Sequence, residues 1–151
     1  KAAAFCDVYW WLRRRPDADA AAVVGEIAAR HPRLRLLVDH LGSPLRAKDQ
    51  AAYANLDALV ALAKHPNVAV KASSAPGCST DPWPYASIND YLRAIYDAFG
   101  PQRMFWGTDL SRSPYSYKQN ITMFTEEIPW LSAEDKISIM GRGICNWIGW
   151  K

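Results

Sequence analysis

His40 and Asp109 are the residues whose types and settings best fit chemistry. Each stands just beyond a short apolar run, Arg35-Leu36-Leu37-Val38-Asp39-His40-Leu41-Gly42 in one case and Met104-Phe105-Trp106-Gly107-Thr108-Asp109 in the other. In an α/β protein the carboxyl end of a parallel strand is where side chains reach a ligand. A neutral imidazole at such a place orients or deprotonates water or ligates a metal, and an imidazolium polarises a carbonyl. A carboxylate there accepts a proton from an attacking water, or binds a divalent cation that activates it. The plainer readings are a loop or N-cap aspartate and a histidine hydrogen-bonded within the strand mouth. Gly107 lets a backbone or a ligand come close. Strand alternation puts Asp39 on the side opposite His40, so the two do not form a relay of the Ser-His-Asp kind.

Other polar residues fall near the same strand ends. Lys71 ends the strand that begins at Val68 and can line the mouth, although a solvated or ion-paired lysine is the commoner outcome. Ser73 opens the loop that follows, and Arg46 and Arg112 lie in loops after strands, as do Arg13, Arg14 and Arg15. Arginines so placed can clamp a substrate carboxylate, although each taken singly also reads as a solvated loop charge. Arg46, Lys71, Ser73 and Arg112 are therefore the candidate substrate-binding residues. His31 and His65 each precede a proline at a helix-to-strand turn, which puts them at the other end of the strands from His40. There is no H-x-H, no H-E-x-x-H and no cysteine cluster, so this chain alone cannot build a full metal site. A glycine-rich phosphate cradle and a G-x-S-x-G elbow are also missing.

The elements that must position these residues follow from apolar periodicity. Aromatic and β-branched residues between Ala2 and Trp11 favour a buried strand. Asp17 reads as the N-cap of an amphipathic helix over 18–30, which ends before Pro32. The strand 35–39 follows, then a helix from about Gln50 to Lys64, a strand over 68–71 and a polar loop from Ser73 to Tyr85. Ser87-Ile88-Asn89-Asp90 has the form of a capping box and opens a helix through Phe99, stopped by Gly100-Pro101. After the strand 104–106 come a helix over 117–127, a helix capped at Ser132 and ended by Gly141, and an apolar tail over 144–150 that packs back on the body.

"AARHPRLRLLVDH", "LAKHPNVAVKASS" and "AFGPQRMFWGTD" form a weak repeat of helix, basic residue, turn and strand. The strands recur about every 30–35 residues, the length of a βαβ unit. Right-handed crossovers make such strands parallel neighbours. The chain thus reads as four consecutive β/α units, either half of an eight-unit barrel or a small open sheet.

With 151 residues, half of them hydrophobic, the chain has the size and apolar content of one domain, residues 1–151. A formal charge of +3 is too mild to demand nucleic acid or a membrane surface. No apolar run is long enough to span a bilayer and no signal peptide is evident. Cys6, Cys78 and Cys145 make no C-x-x-C pair, which fits a reducing, cytoplasmic setting. The chain begins at Lys1, as a processed product or a fragment does. Asn120-Ile121-Thr122 matches a glycosylation triplet and reads as chance in a cytoplasmic protein.

Four stretches carry a resemblance to a known family: "HPRLRLLVDHLGSP", "LAKHPNVAVKAS", "YDAFGPQRMFWGTDL" and the terminal "IMGRGICNWIGW". In this order they resemble the C-terminal half of the amidohydrolase-related metal-dependent hydrolases of the TIM-barrel type, nearest to the branch of sugar lactonases and pyrone-dicarboxylate lactonases. The resemblance implies strands five to eight of a (β/α)8 barrel, with His40 ending strand six and Asp109 ending strand eight. It implies a hydrolase acting on a lactone, ester or amide carbonyl of a small acidic substrate. Asp109 is then metal ligand or general base, and His40 activates water or polarises the carbonyl. Alternatives are decarboxylation of an aromatic acid on the same site, or a non-catalytic half barrel. The implied cofactor is a divalent metal, zinc or manganese, whose remaining ligands are absent from this chain. The implied partner is the missing N-terminal half of the barrel, present in the same protein or as a second chain. A half barrel also leaves open sheet edges and one uncovered apolar face.

Overall fold

Near-continuous apolar strands need cover on both faces, and the computed structural model shows how they obtain it. It describes residues 5–7, 20–44, 46–110, 113 and 115–150. Four parallel strands make one sheet in sequence order: β1 (Phe5–Asp7), β2 (Arg35–Val38), β3 (Val68–Ser73) and β4 (Met104–Gly107). Their registers align Asp7 with Leu37, Leu37 with Ala69 and Lys71 with Phe105. The helices between them are α1 (Ala20–Arg30), α2 (Asp49–Ala52), α3 (Leu56–Ala61) and α4 (Asn89–Phe99). After β4 come α5 (Tyr117–Thr122), α6 (Ala133–Ile137) and α7 (Gly143–Ile148). Asp17 and most of the first expected strand lie outside the described residues.

One face of the sheet buries Leu36, Val38, Val68, Val70, Ala72 and Met104 against the helices, which present Val24, Ala28, Leu59, Leu92, Ile95 and Phe99. The other face carries a smaller cluster of Leu37, Ala69 and Phe105. The bare face expected of a half barrel is therefore partly covered: Ile144 and Trp147 of α7 pack on it, and the Trp147 ring lies 6.0 Å from that of Phe105. Gly143 makes this approach possible, because a Cβ there stands 3.1 Å from a Phe105 ring carbon.

Three local expectations are corrected. The single helix over 50–64 is broken at 53–55, where buried Tyr53 stacks on Tyr91 of α4 at 4.2 Å and the chain turns. A through-running helix would carry Tyr53 past that partner. Ser87 does not cap α4. Its amide donates to Asp81 and its hydroxyl pairs with Ser79, and α4 is entered through a 3₁₀ turn at Ala86–Ile88. Gly141 does not end a helix, because a π-helical turn at Ser138–Arg142 carries the chain into α7, and the left-handed stop is Gly149 with φ +73°. The capping box at Ser132 is present, with Asp135 as its reciprocal partner, and a second one at Ser116 and Gln119 opens α5. Asn120 of the glycosylation triplet is buried, with its amide bonded to Ser113 and to the Ser116 carbonyl.

The ends of the strands remote from His40 are held by two side chains. The Asn67 amide donates to the carbonyls of Ala28, His31 and Leu34 at 2.9–3.2 Å. Arg103 does the same one unit later, donating to the carbonyls of Ala63, His65 and Val68. Burial in this setting depresses the Arg103 guanidinium below its ordinary value. His31 and His65 lie in these turns, as their place before proline suggests. Asn67 is buried, so Asn67→Ala leaves three inward carbonyls short of a donor. Equilibrium denaturation of the intact protein should show a loss of about 2 kcal/mol. A loss below about 0.5 kcal/mol, as for an ordinary surface substitution, would mean that those carbonyls need no such donor.

Candidate active site at the strand ends

The chain leaves β2, β3 and β4 by similar means. His40 has φ +49°, Ser74 φ +58° and Asp109 φ +48°, so a residue with a side chain sits in the left-handed region just past each strand. This region is sparsely used by residues other than glycine, and clusters of such residues are typical of functional sites. At β2 the turn continues through Leu41 and Gly42, also with positive φ.

These turns aim the side chains. His40 Nδ1 lies 2.7 Å from Ser73 Oγ, and His40 Nε2 lies 3.6 Å from Asp109 Oδ2. Ser74 Oγ donates to the same Asp109 oxygen at 2.9 Å. The imidazole and the carboxylate thus meet at one rim of the sheet, across the end of the intervening strand. Their side chains are 20% and 22% exposed, enough to meet a ligand yet shielded enough to act strongly on it.

One step further in, Asp39 pairs with Lys71. Lys71 and Ser73 are two apart in β3 and share a face, so Asp39 and His40 both address that face. The strict alternation expected at this point fails because His40 has left the extended conformation. Lys71 is a partner of Asp39, and Ser73 is buried with its hydroxyl turned to the imidazole. Arg46 is exposed in the loop after β2, with φ +61°. Arg112, with Arg13 to Arg15, lies outside the described residues. Ser74 was missed in the sequence. Its signal was a second hydroxyl directly after the strand, at "KASS".

The loops after β2 and β3 are tied together beside this rim. Asp49 accepts from the Thr80 amide at 2.9 Å and from the Thr80 hydroxyl at 2.7 Å, and the Lys48 ammonium donates to the Ser79 carbonyl. The Thr80 hydroxyl, followed by its amide, holds the Asp49 carboxyl below the ordinary aspartate value. Beneath the loops Cys78 is buried against Ser43, and burial raises its thiol pKa. That is the setting of an inert thiol.

The donor set also bears on a metal. Among the described residues no group of three or more His, Cys, Asp or Glu side chains is placed to hold an ion. His40 and Asp109 do fit as two ligands. Bonds of about 2.1 Å to a tetrahedral ion put neighbouring donor atoms about 3.4 Å apart, and Nε2 and Oδ2 stand 3.6 Å apart. No helix among the described residues is long and apolar enough to cross a membrane.

Comparison with known proteins gives the family. The amidohydrolase family model matches residues 5–142, which takes in all four strands and both rim residues. The chain belongs to the amidohydrolase family. Within this family, an L-fucono-1,5-lactonase from Burkholderia ambifaria is 38% identical over 85 residues, 54% of this chain and 28% of that protein. A zinc-bound amidohydrolase crystal structure from Burkholderia multivorans superposes with a TM-score of 0.73 at 26% identity, over 96% of this chain and 52% of that one. A candidate 2-pyrone-4,6-dicarboxylic acid hydrolase from Pseudomonas putida, 21% identical over 85% of this chain and 50% of that one, has a TM-score of 0.60 and shares the fold. This amidohydrolase chain thus spans about half the length of the solved structures it matches.

Proposed function

We propose that this chain supplies the His40 and Asp109 wall of a lactone-hydrolysing active site, its four strands being strands five to eight of a (β/α)8 barrel. The observation that carries the reading is the meeting of imidazole and carboxylate at one rim, Nε2 to Oδ2 3.6 Å. The match to a lactonase supports a lactone as substrate over an amide or an aromatic acid. The remaining barrel strands come from outside these 151 residues.

In this reading a water lies between His40 Nε2 and Asp109 Oδ2. Asp109 takes one of its protons as the oxygen attacks the lactone carbonyl carbon. The C–O bond to the ring oxygen then breaks, that oxygen takes up the proton, and a hydroxy acid leaves. Water and lactone are the only reactants. His40 orients the water, Nε2 accepting from its second O–H. A divalent ion, zinc or manganese, when bound would polarise that carbonyl and sharpen the water. Asp109 and His40 are the residues here that would hold it. Arg46 and Arg112 are assigned to the carboxylate of an acidic substrate.

The test is a substrate panel on the intact protein, comparing sugar lactones, acidic lactones, simple amides and aromatic carboxylic acids. Lactone opening, followed by proton release, is the expected activity. Carbon dioxide release from the aromatic acids without lactone opening would replace this reading by decarboxylation on the same two side chains.

A further inference from the structure

We infer that Ser73 and Ser74 are positioning residues, one for the imidazole and one for the carboxylate, and that neither touches the substrate. The inference rests on the site proposed above and adds how its geometry is fixed. β3 lies between β2 and β4, so its end can reach both His40 and Asp109. Two consecutive residues of a strand point to opposite faces. Here the left-handed turn at Ser74, φ 58° and ψ 16°, breaks that alternation and lets consecutive hydroxyls serve one site. Ser73 Oγ meets His40 Nδ1 at 2.7 Å, and Ser74 Oγ meets Asp109 Oδ2 at 2.9 Å.

The chemistry of the contact sets its consequence. In this proposal Ser73 Oγ takes the acceptor role toward Nδ1–H, which places the Nε2 lone pair on the side that faces Asp109. That is the tautomer which can accept from a water or bind a cation. Ser73 is 4% exposed, which leaves it no face for a substrate. Its seat depends on Gly107, its register partner, where a Cβ would stand 3.2 Å from Ser73 Cβ.

The experiment uses the intact protein with ¹⁵N-labelled histidine, His40 being assigned by its loss in His40→Gln. The expected wild-type signal is a protonated Nδ1 hydrogen-bonded to a hydroxyl. In Ser73→Ala that signal should shift toward the Nε2–H form, and kcat should fall about 10–100-fold, the usual effect of losing a group that orients a site imidazole. KM should change less than about 2-fold, since Ser73 has no substrate contact. Ser73→Thr keeps the hydroxyl and should restore the wild-type spectrum. Ser74→Ala should lower kcat and leave the His40 spectrum unchanged. An unchanged His40 spectrum in Ser73→Ala would overturn the inference, as would labelling of Ser73 by a fluorophosphonate, which marks a nucleophile. The spectrum is read without turnover. Full activity in His40→Gln or Asp109→Asn is the result that instead counts against the site itself.

Discussion

Asp109→Asn in the intact enzyme should lower kcat for lactone opening by about 10²–10⁴-fold, the range spanned by a well-placed general base. The substitution keeps the side-chain shape, and the amide oxygen can still accept the Ser74 hydroxyl seen at 2.9 Å. It removes the negative charge and the basic lone pairs on which the proposed proton removal from water depends. The left-handed backbone at Asp109 tolerates asparagine as well as aspartate. Melting temperature and far-ultraviolet circular dichroism should therefore stay near wild type while turnover collapses. Activity within a few-fold of wild type, in a variant shown to be folded, would remove Asp109 from the chemistry. Bound metal should also fall in this variant, measured by elemental analysis after dialysis, if the carboxylate is one of the ligands.

Lys71→Met should produce the largest loss of stability of any substitution near the site, about 3 kcal/mol by urea denaturation. The Asp39 side chain is 9% exposed and faces the Lys71 ammonium. Deleting a cation beside a buried carboxylate leaves a charge that the interior cannot solvate, and such losses run to about 3–5 kcal/mol. The lower end is expected because the Lys71 side chain is 30% exposed, which lets water share in the screening. Asp39→Asn combined with Lys71→Met should recover most of the loss, since no charge is then stranded. A double variant no more stable than the single one would mean that the pair is held for another reason than mutual neutralisation.

The alternation of apolar strand, polar strand end and helix was legible in the sequence because β2 and β3 are buried on both faces and run abruptly into polar residues. Leu36, Leu37 and Val38 run into Asp39 and His40 in this way. The parallel neighbour order followed from the repeat and was found as expected. Details set by non-local packing were not legible. The break at 53–55 depends on Tyr91, from another helix, as a stacking partner for Tyr53. The direction in which His40 points depends on its left-handed backbone, which residue type does not announce in a histidine. That Lys71 is ion-paired is the commoner fate of a strand-end lysine, but its partner, and that of Ser73, are set by the neighbouring strand. Asp39 and His40, just after β2, are those partners.

The positive φ angles of His40, Ser74 and Asp109 set a limit on how this amidohydrolase can be improved by selection. Outside glycine, asparagine and aspartate, a side chain held there costs about 1–2 kcal/mol. A screen that rewards heat resistance alone will therefore press toward glycine at His40 and Ser74 first, where that cost falls in full. Each such winner discards a group from the rim, and the hardiest protein in the pool becomes an empty scaffold. Selecting a durable form of the intact protein requires a turnover filter in every round, or a library that freezes those codons.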